Sequence, residues 1–218
     1  MTFLVPLALA ALVALTLAAP AGGRVLLSQQ DALALAFPGC DVQRATVYLS
    51  AAQVERAGRL AGEPVRSALV PTYAARCGGK PAGTAYFDAH PVRTLPETVM
   101  VVVSADGRVR RVEVLSFDEP ADYLPRHPWY DQFEGRALDS ELRLKRGIRP
   151  VTGASLTARA TTGAVRRVLA LHQVIAEAAG TPAAATPKPA PTLRPAATPA
   201  PTARPTAAPQ HRRPGTGR

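Results

Sequence analysis

The residues Val151-Thr152-Gly153-Ala154-Ser155-Leu156-Thr157 carry the most readable chemistry in this chain. Small neighbours surround the Ser155 hydroxyl, so a bulky ligand can approach the backbone closely, and Gly153 permits a tight turn. An amphipathic stretch follows and runs to about Ala179. A helix beginning there offers the unpaired N–H groups of its first turn, Leu156 to Ala158, and the positive end of its dipole to a phosphate. Hydroxyl and helix start together predict an anion-binding turn with an accessible oxygen of its own. An ordinary turn and N-cap is the plain alternative.

Little else competes with that segment. His90, His127, His172 and His211 are scattered without metal-ligand spacing. No set of side chains forms the nucleophile, base and acid of a hydrolase. Cys40 and Cys77 belong to no Cys-x-x-Cys pattern, which removes the redox-dithiol and c-type haem readings. In an exported chain the two are expected to form a disulfide closing a loop of 36 intervening residues. A pair of separately buried thiols is the alternative.

Composition points to export and away from nucleic acid. Residues 3–19 are almost wholly Leu, Ala, Val and Thr, and Ala19-Pro20-Ala21 offers a small-x-small cleavage site. This segment reads as a secretory signal peptide, or as a retained N-terminal anchor, since 17 apolar residues reach the lower limit of a membrane span. The formal net charge is +10, but Lys188, Arg194, Arg204, Arg212, Arg213 and Arg218 supply six of those charges with no acid among them. They lie in a tail with Pro at ten positions and no aromatic residue, which is expected to be extended and disordered. Such a tail suits a tether through the cell envelope, with weak attraction to an anionic membrane surface, and nothing in it reads a base.

The middle of the chain mixes short helices and strands. Ser28-Gln29-Gln30-Asp31 opens an Ala/Leu helix stopped at Phe37-Pro38-Gly39. Ser50-Ala51-Ala52-Gln53 is a capping box whose helix carries Val54, Ala57 and Leu60 on one side and stops at Gly62. Thr84 to Asp88 reads as a short strand, and Thr98 to Ser104 as a β-branched apolar one. Ala105-Asp106-Gly107 turns the chain into a strand from Arg108 to Leu115, where Val109 faces one way and Val112 and Val114 the other.

Thr152-Gly153-Ala154-Ser155, followed by Leu156-Thr157, resembles the Ser/Thr-Gly-Ala-Thr flavinylation motif of the FMN-binding domain family. That family includes the G subunits of Rnf-type electron-transport complexes and the C subunit of the sodium-translocating NADH:quinone reductase. Further pieces follow the family's order: Ala105-Asp106-Gly107, Phe117-Asp118-Glu119-Pro120, Trp129-Tyr130-Asp131-Gln132-Phe133-Glu134-Gly135, the motif itself, and the Ala/Val-rich helix after it. The resemblance spans roughly residues 80–175.

It implies an α+β fold, a small antiparallel sheet with packed helices. The expected organisation is a signal or anchor at 1–21, a helical N-terminal part at 22–80, the FMN-binding domain at 81–179 and the tail at 180–218. It implies FMN joined through a phosphoester to Ser155, with Thr157 as a second acceptor and Thr152, Gly153, Ala154 and Leu156 shaping the turn. A flavin transferase would attach the group. A membrane redox complex, a quinone reductase or a cytochrome would exchange electrons with it in the periplasm or cell envelope. Trp129 is expected to cover the flavin ring or to fill the core. Glu119 is expected to accept a backbone hydrogen bond near the flavin or to be a solvated loop acid.

The Arg166-Arg167 pair reads as the polar side of the last helix. Arg149 stands where the family has Asp, three residues before Thr152, and is itself a candidate to neutralise a phosphate. That departure keeps two other readings open: the same fold without flavin as an envelope interaction module, and FMN held without a covalent bond in a reductase.

Overall fold

The structure, a computed structural model, describes residues 24–180. The N-terminal apolar segment and the Pro/Ala/Thr tail lie outside the described residues. The elements run β1 (Arg24–Val25), α1 (Gln29–Ala36), β2 (Asp41–Tyr48), α2 (Ala51–Ala61), β3 (Leu69–Cys77), β4 (Lys80–Pro91), β5 (Pro96–Val103), β6 (Val109–Phe117) and α3 (Ser155–Gly180), with 3-10 turns at Ala121–Tyr123 and His127–Phe133. The six strands form one antiparallel sheet in the order β1-β6-β5-β4-β3-β2. The fold is therefore α+β with a small antiparallel sheet.

Both faces of the sheet are covered, which explains the unbroken apolar run of β5. Val99, Met100, Val101, Val102 and Val103 are all 0% exposed. On one face, Ala32, Ala36 and Phe37 at α1 pack against Tyr73, Ala75, Ala85, Met100, Val102 and Leu115. On the other, Ala57 and Ala61 of α2 and Ala164, Val165, Val168 and Leu169 of α3 pack against Tyr86, Val99, Val101 and Val103. A strand sandwiched this way needs no polar alternation.

The helix starts follow from their caps. Ser28 accepts the Asp31 N–H at 3.1 Å, and the Ser50–Gln53 capping box forms in both directions. Gly62 ends α2 in the left-handed conformation, as its position after the periodic stretch predicts.

Two expectations need correction. The segment 22–80, expected to be helical, holds α1 and α2 but also β2 and β3, and β3 pairs with β4 across the expected boundary. Polar residues alternate irregularly in Asp41–Tyr48 because that strand is the sheet's edge and lies half open to solvent on both faces. Second, Val109 and Val112 share one face and one cluster. The register slips between Val102 and Val103, which pair with Arg111 and Val109, so Arg110 is an extra residue, a β-bulge that resets the alternation. Freed from the ladder, Arg110 lies over the Phe37 ring and donates to Ala36 O at 3.1 Å.

Cys40 and Cys77 form a disulfide with Cα atoms 4.4 Å apart, tying the start of edge strand β2 to the end of β3. For a loop of this length the chain-entropy treatment gives about 3–4 kcal/mol. Reduction, or the double change to serine, is expected to lower the free energy of unfolding by that order; denaturant titrations with and without reductant measure it.

Candidate functional site

The run-up to the 151–157 segment is held by the Trp129–Phe133 motif. Trp129 Nε1 donates to Arg149 O at 2.8 Å, and Arg149 N donates to Gln132 Oε1 at 2.7 Å. The indole also meets the Tyr130 and Phe133 rings edge-on at 5.0 and 5.3 Å. Trp129 thus packs beneath the segment that leads into the turn, and it does not line the hollow beside Ser155. Tyr123 does.

Gly153 takes φ +82° with open space where a Cβ would stand, so the chain turns sharply and leaves the approach to Ser155 unobstructed. Ser155 opens α3 and is exposed; among the described residues its hydroxyl donates only to Val151 O within the same turn, at 3.3 Å. Thr152 is exposed and Ala154 buried. The N–H groups of Ser155, Leu156 and Thr157 meet no protein acceptor among the described residues, whereas Ala158 N already donates to Ala154 O at 2.9 Å. The free donors therefore sit one residue earlier than the sequence suggested.

Thr157 differs from Ser155. It is 1% exposed, and its hydroxyl donates to Tyr123 O at 2.6 Å, which fixes the loop that forms one wall of the hollow.

Glu119 supports another wall. It is buried, and its Oε1 accepts from Leu95 N at 2.9 Å, Thr94 N at 2.8 Å and Arg93 N at 3.2 Å. The N–H groups of Leu95 and Thr94 hold its carboxyl below the usual carboxylate range. This carboxylate closes the turn between β4 and β5, whose Val92 and Arg93 line the hollow, and Arg93 lies over the Tyr123 ring at 5.5 Å. Glu119→Gln is expected to speed hydrogen exchange at Arg93, Thr94 and Leu95 and to leave exchange in β5 unchanged, as amide-resolved exchange would show.

The hollow beside Ser155 has a volume of about 270 Å³ and is lined by Val92, Arg93, Tyr123 and residues 153–157. A larger cavity of about 480 Å³ shares Val92 and Leu156 with it and continues along α3 past Arg159, Arg167 and Leu171. Arg159 follows Ser155 by four residues on the same helix, so the two share a face. It is exposed and has no hydrogen-bond or ion-pair partner among the described residues. Arg149 is exposed and lines neither the hollow nor the larger cavity.

A charged cluster borders the larger cavity, which Glu63, Asp88, His90 and Arg167 line and behind which Glu97 and Thr161 are fully buried. His90 Nδ1 donates to Asp88 Oδ1 at 2.9 Å and Nε2 to Glu97 Oε2 at 3.0 Å. Thr161 Oγ1 donates to the same Glu97 oxygen at 2.8 Å, and Arg167 holds Asp88 through Nε at 3.1 Å and an amino group at 2.8 Å. Arg167 also pairs with Glu63 at 2.6 Å. Burial alone would lower His90, but its bonds to Asp88 and Glu97 and their charges raise it to about 9. Burial alone would raise Asp88, but His90 and Arg167 bring it down to about 2.

The expectation that Arg166 lies on the polar side of the last helix is overturned. Arg166 is 6% exposed and donates to the carbonyls of Ala61, Asp139, Leu142 and Leu60 at 2.7, 2.8, 3.2 and 3.3 Å. It ties off the C-terminus of α2 and the loop after the 3-10 turns. Burial, then the charge of Arg143, lowers its pKa.

Sequence reasoning missed Arg159, although its spacing from Ser155 was a usable signal. It also missed the Asp88–His90–Glu97 cluster, whose members come from two strands and gave no local pattern. Among the described residues no helix is long and apolar enough to cross a membrane. Comparison with family models, curated proteins and solved structures finds no match to this chain.

Proposed function

We propose that the protein is an exported flavoprotein that carries FMN, esterified through its phosphate to Ser155, and passes electrons in the cell envelope. The observation that carries this reading is the exposed Ser155 hydroxyl at the first position of α3, set among three unpartnered N–H groups and opening onto a hollow. A phosphoester there keeps one negative charge. The first-turn N–H groups and the helix dipole would stabilise it, and Arg159, one turn along, would neutralise it.

The fit extends to the space available. Small-molecule sites occupy about 300–1,000 Å³. The hollow at Ser155, at about 270 Å³, falls just short of that range and suits a phosphate and the start of the ribityl chain. FMN would supply the one- and two-electron chemistry; the chain's residues supply retention, orientation and charge. A covalent bond removes the dependence of occupancy on free FMN, which suits a compartment where FMN is scarce. The export expectation agrees with the disulfide. A membrane redox complex, a quinone reductase or a cytochrome is the proposed electron partner.

Arg149 in place of Asp favours a second reading, in which the fold persists without flavin as an envelope interaction module. Expression of the full chain with a flavin transferase and export intact separates the two. An intact mass raised by one FMN less water, with a visible absorption band that survives denaturation, supports the flavoprotein. A colourless product of unmodified mass overturns it, and a band lost on denaturation replaces the ester with non-covalent binding.

A further inference from the structure

The segment between α2 and β3, residues 62–68, has no chemical role in the readings so far, yet it forms a wall of the larger cavity. Glu63 to Ser67 face that space from one side, and Leu156, Arg159 and Leu171 of α3 from another. Along α3 the lining runs from Leu156 to Leu171, about 22 Å at the helical rise. That is room for a five-carbon chain and three fused rings laid end to end. At about 480 Å³ the volume lies within the small-molecule range.

Charge in the cavity is arranged unevenly. Arg167 is already committed to Asp88 and Glu63, and His90 to Asp88 and Glu97. Arg66 and Arg159 are exposed and, among the described residues, have no partner. If Arg159 takes the phosphate, Arg66 is the guanidinium left for a second acceptor group on the same ligand. A guanidinium presents a planar fork of donors, matched to two adjacent acceptors such as a ring nitrogen and its neighbouring carbonyl oxygen.

We propose that the larger cavity seats the flavin's ring system and that Arg66 faces its carbonyl-bearing pyrimidine edge, stabilising the negative charge that edge gains when an electron pair enters the ring. This rests on the flavin reading above. Leu156, Val92 and Leu171 supply apolar surface for the ring. Arg66 acts on charge that develops during reduction, so its effect falls on the reduced ring more than on the oxidised one.

Sulfite tests this without any redox partner. Its lone pair adds to N5 of the oxidised ring, an S–N bond forms, the N5–C4a double bond opens, and the ring takes on negative charge at the pyrimidine edge. The visible band bleaches as this occurs. With FMN-loaded full chain, Arg66→Gln is expected to need about tenfold more sulfite for half bleaching, the loss of one charge-assisted hydrogen bond, while Arg66→Lys recovers part of the affinity. Arg66 has no partner among the described residues, so both variants are expected to keep the thermal midpoint of the parent. Equal sulfite affinity in the loaded parent and Arg66→Gln overturns the role of Arg66 alone. A parent of unmodified mass without a visible band overturns the flavin reading and this inference with it.

Discussion

Ser155→Ala is expected to abolish covalent flavin: the mass increase by one FMN less water disappears and no visible band survives denaturation. The effect is all or none because the oxygen removed is the atom the ester requires. Thr157→Ala is the matched control. Its hydroxyl is 1% exposed and engaged with Tyr123 O, so it cannot meet an incoming phosphate without unpacking the loop above it. Thr157→Ala is expected to keep the mass increase and to lose some stability. Loss of the modification in Thr157→Ala, with Ser155→Ala still loaded, would move the attachment point and require a rearranged first turn of α3. Intact-mass measurement of the three proteins distinguishes these results.

His90→Leu is expected to cost about 3–5 kcal/mol of folding stability, the usual penalty for breaking a buried ion pair from one side. Asp88 would retain Arg167, but among the described residues Glu97 would retain only neutral neighbours, the Thr161 hydroxyl and the buried Tyr130 phenol, with no cation beside its charge. The pH dependence gives this its signature. The pKa of His90 is raised on folding from 6.5 to about 9, so its contribution is complete below pH 6.5 and is lost as pH rises through about 9. Asp88 is lowered from 3.8 to about 2, so its contribution is present above 3.8 and lost as pH falls through about 2. The stability difference between parent and variant is therefore expected to be greatest between pH 4 and 6.5, to narrow as pH rises from 6.5, and to lose its charge-dependent part above about 9. Urea titrations across that range measure it, and a difference independent of pH would show that His90 acts by packing rather than by charge.

Much of the fold was legible because local chemistry and global structure agree. Ser28 and Ser50 cap helices where their spacing said they would, Gly62 ends one, and Asp106-Gly107 turns a hairpin between two buried strands. The edge strand Asp41–Tyr48 was missed because neither of its faces is fully covered, so burial imposes no period on its residues. The bulge at Arg110 was missed because it depends on the pairing register, which sequence does not display.

For the candidate site, the turn and its hydroxyl were legible from four small residues and a helix start. The roles of Trp129 and Glu119 were only half legible. Their residue types suggested an aromatic cover and a backbone acceptor. What they hold, the Arg149 backbone and the 93–95 turn, follows from tertiary contacts. Arg166 misled for a related reason. An arginine among alanines on a helix reads as solvated until the carbonyls that receive it come from elsewhere in the chain.

That arginine also fixes something the first turn cannot fix for itself. Arg166 lies eleven residues after Ser155, about 16 Å along the axis, and its four carbonyl acceptors belong to α2 and to the loop after the 3-10 turns. A helix bolted in mid-length this way can neither slide nor spin on its axis. The azimuth of its leading hydroxyl is thus dictated from three turns away, and loosening the bolt would blunt the aim of a residue it never touches.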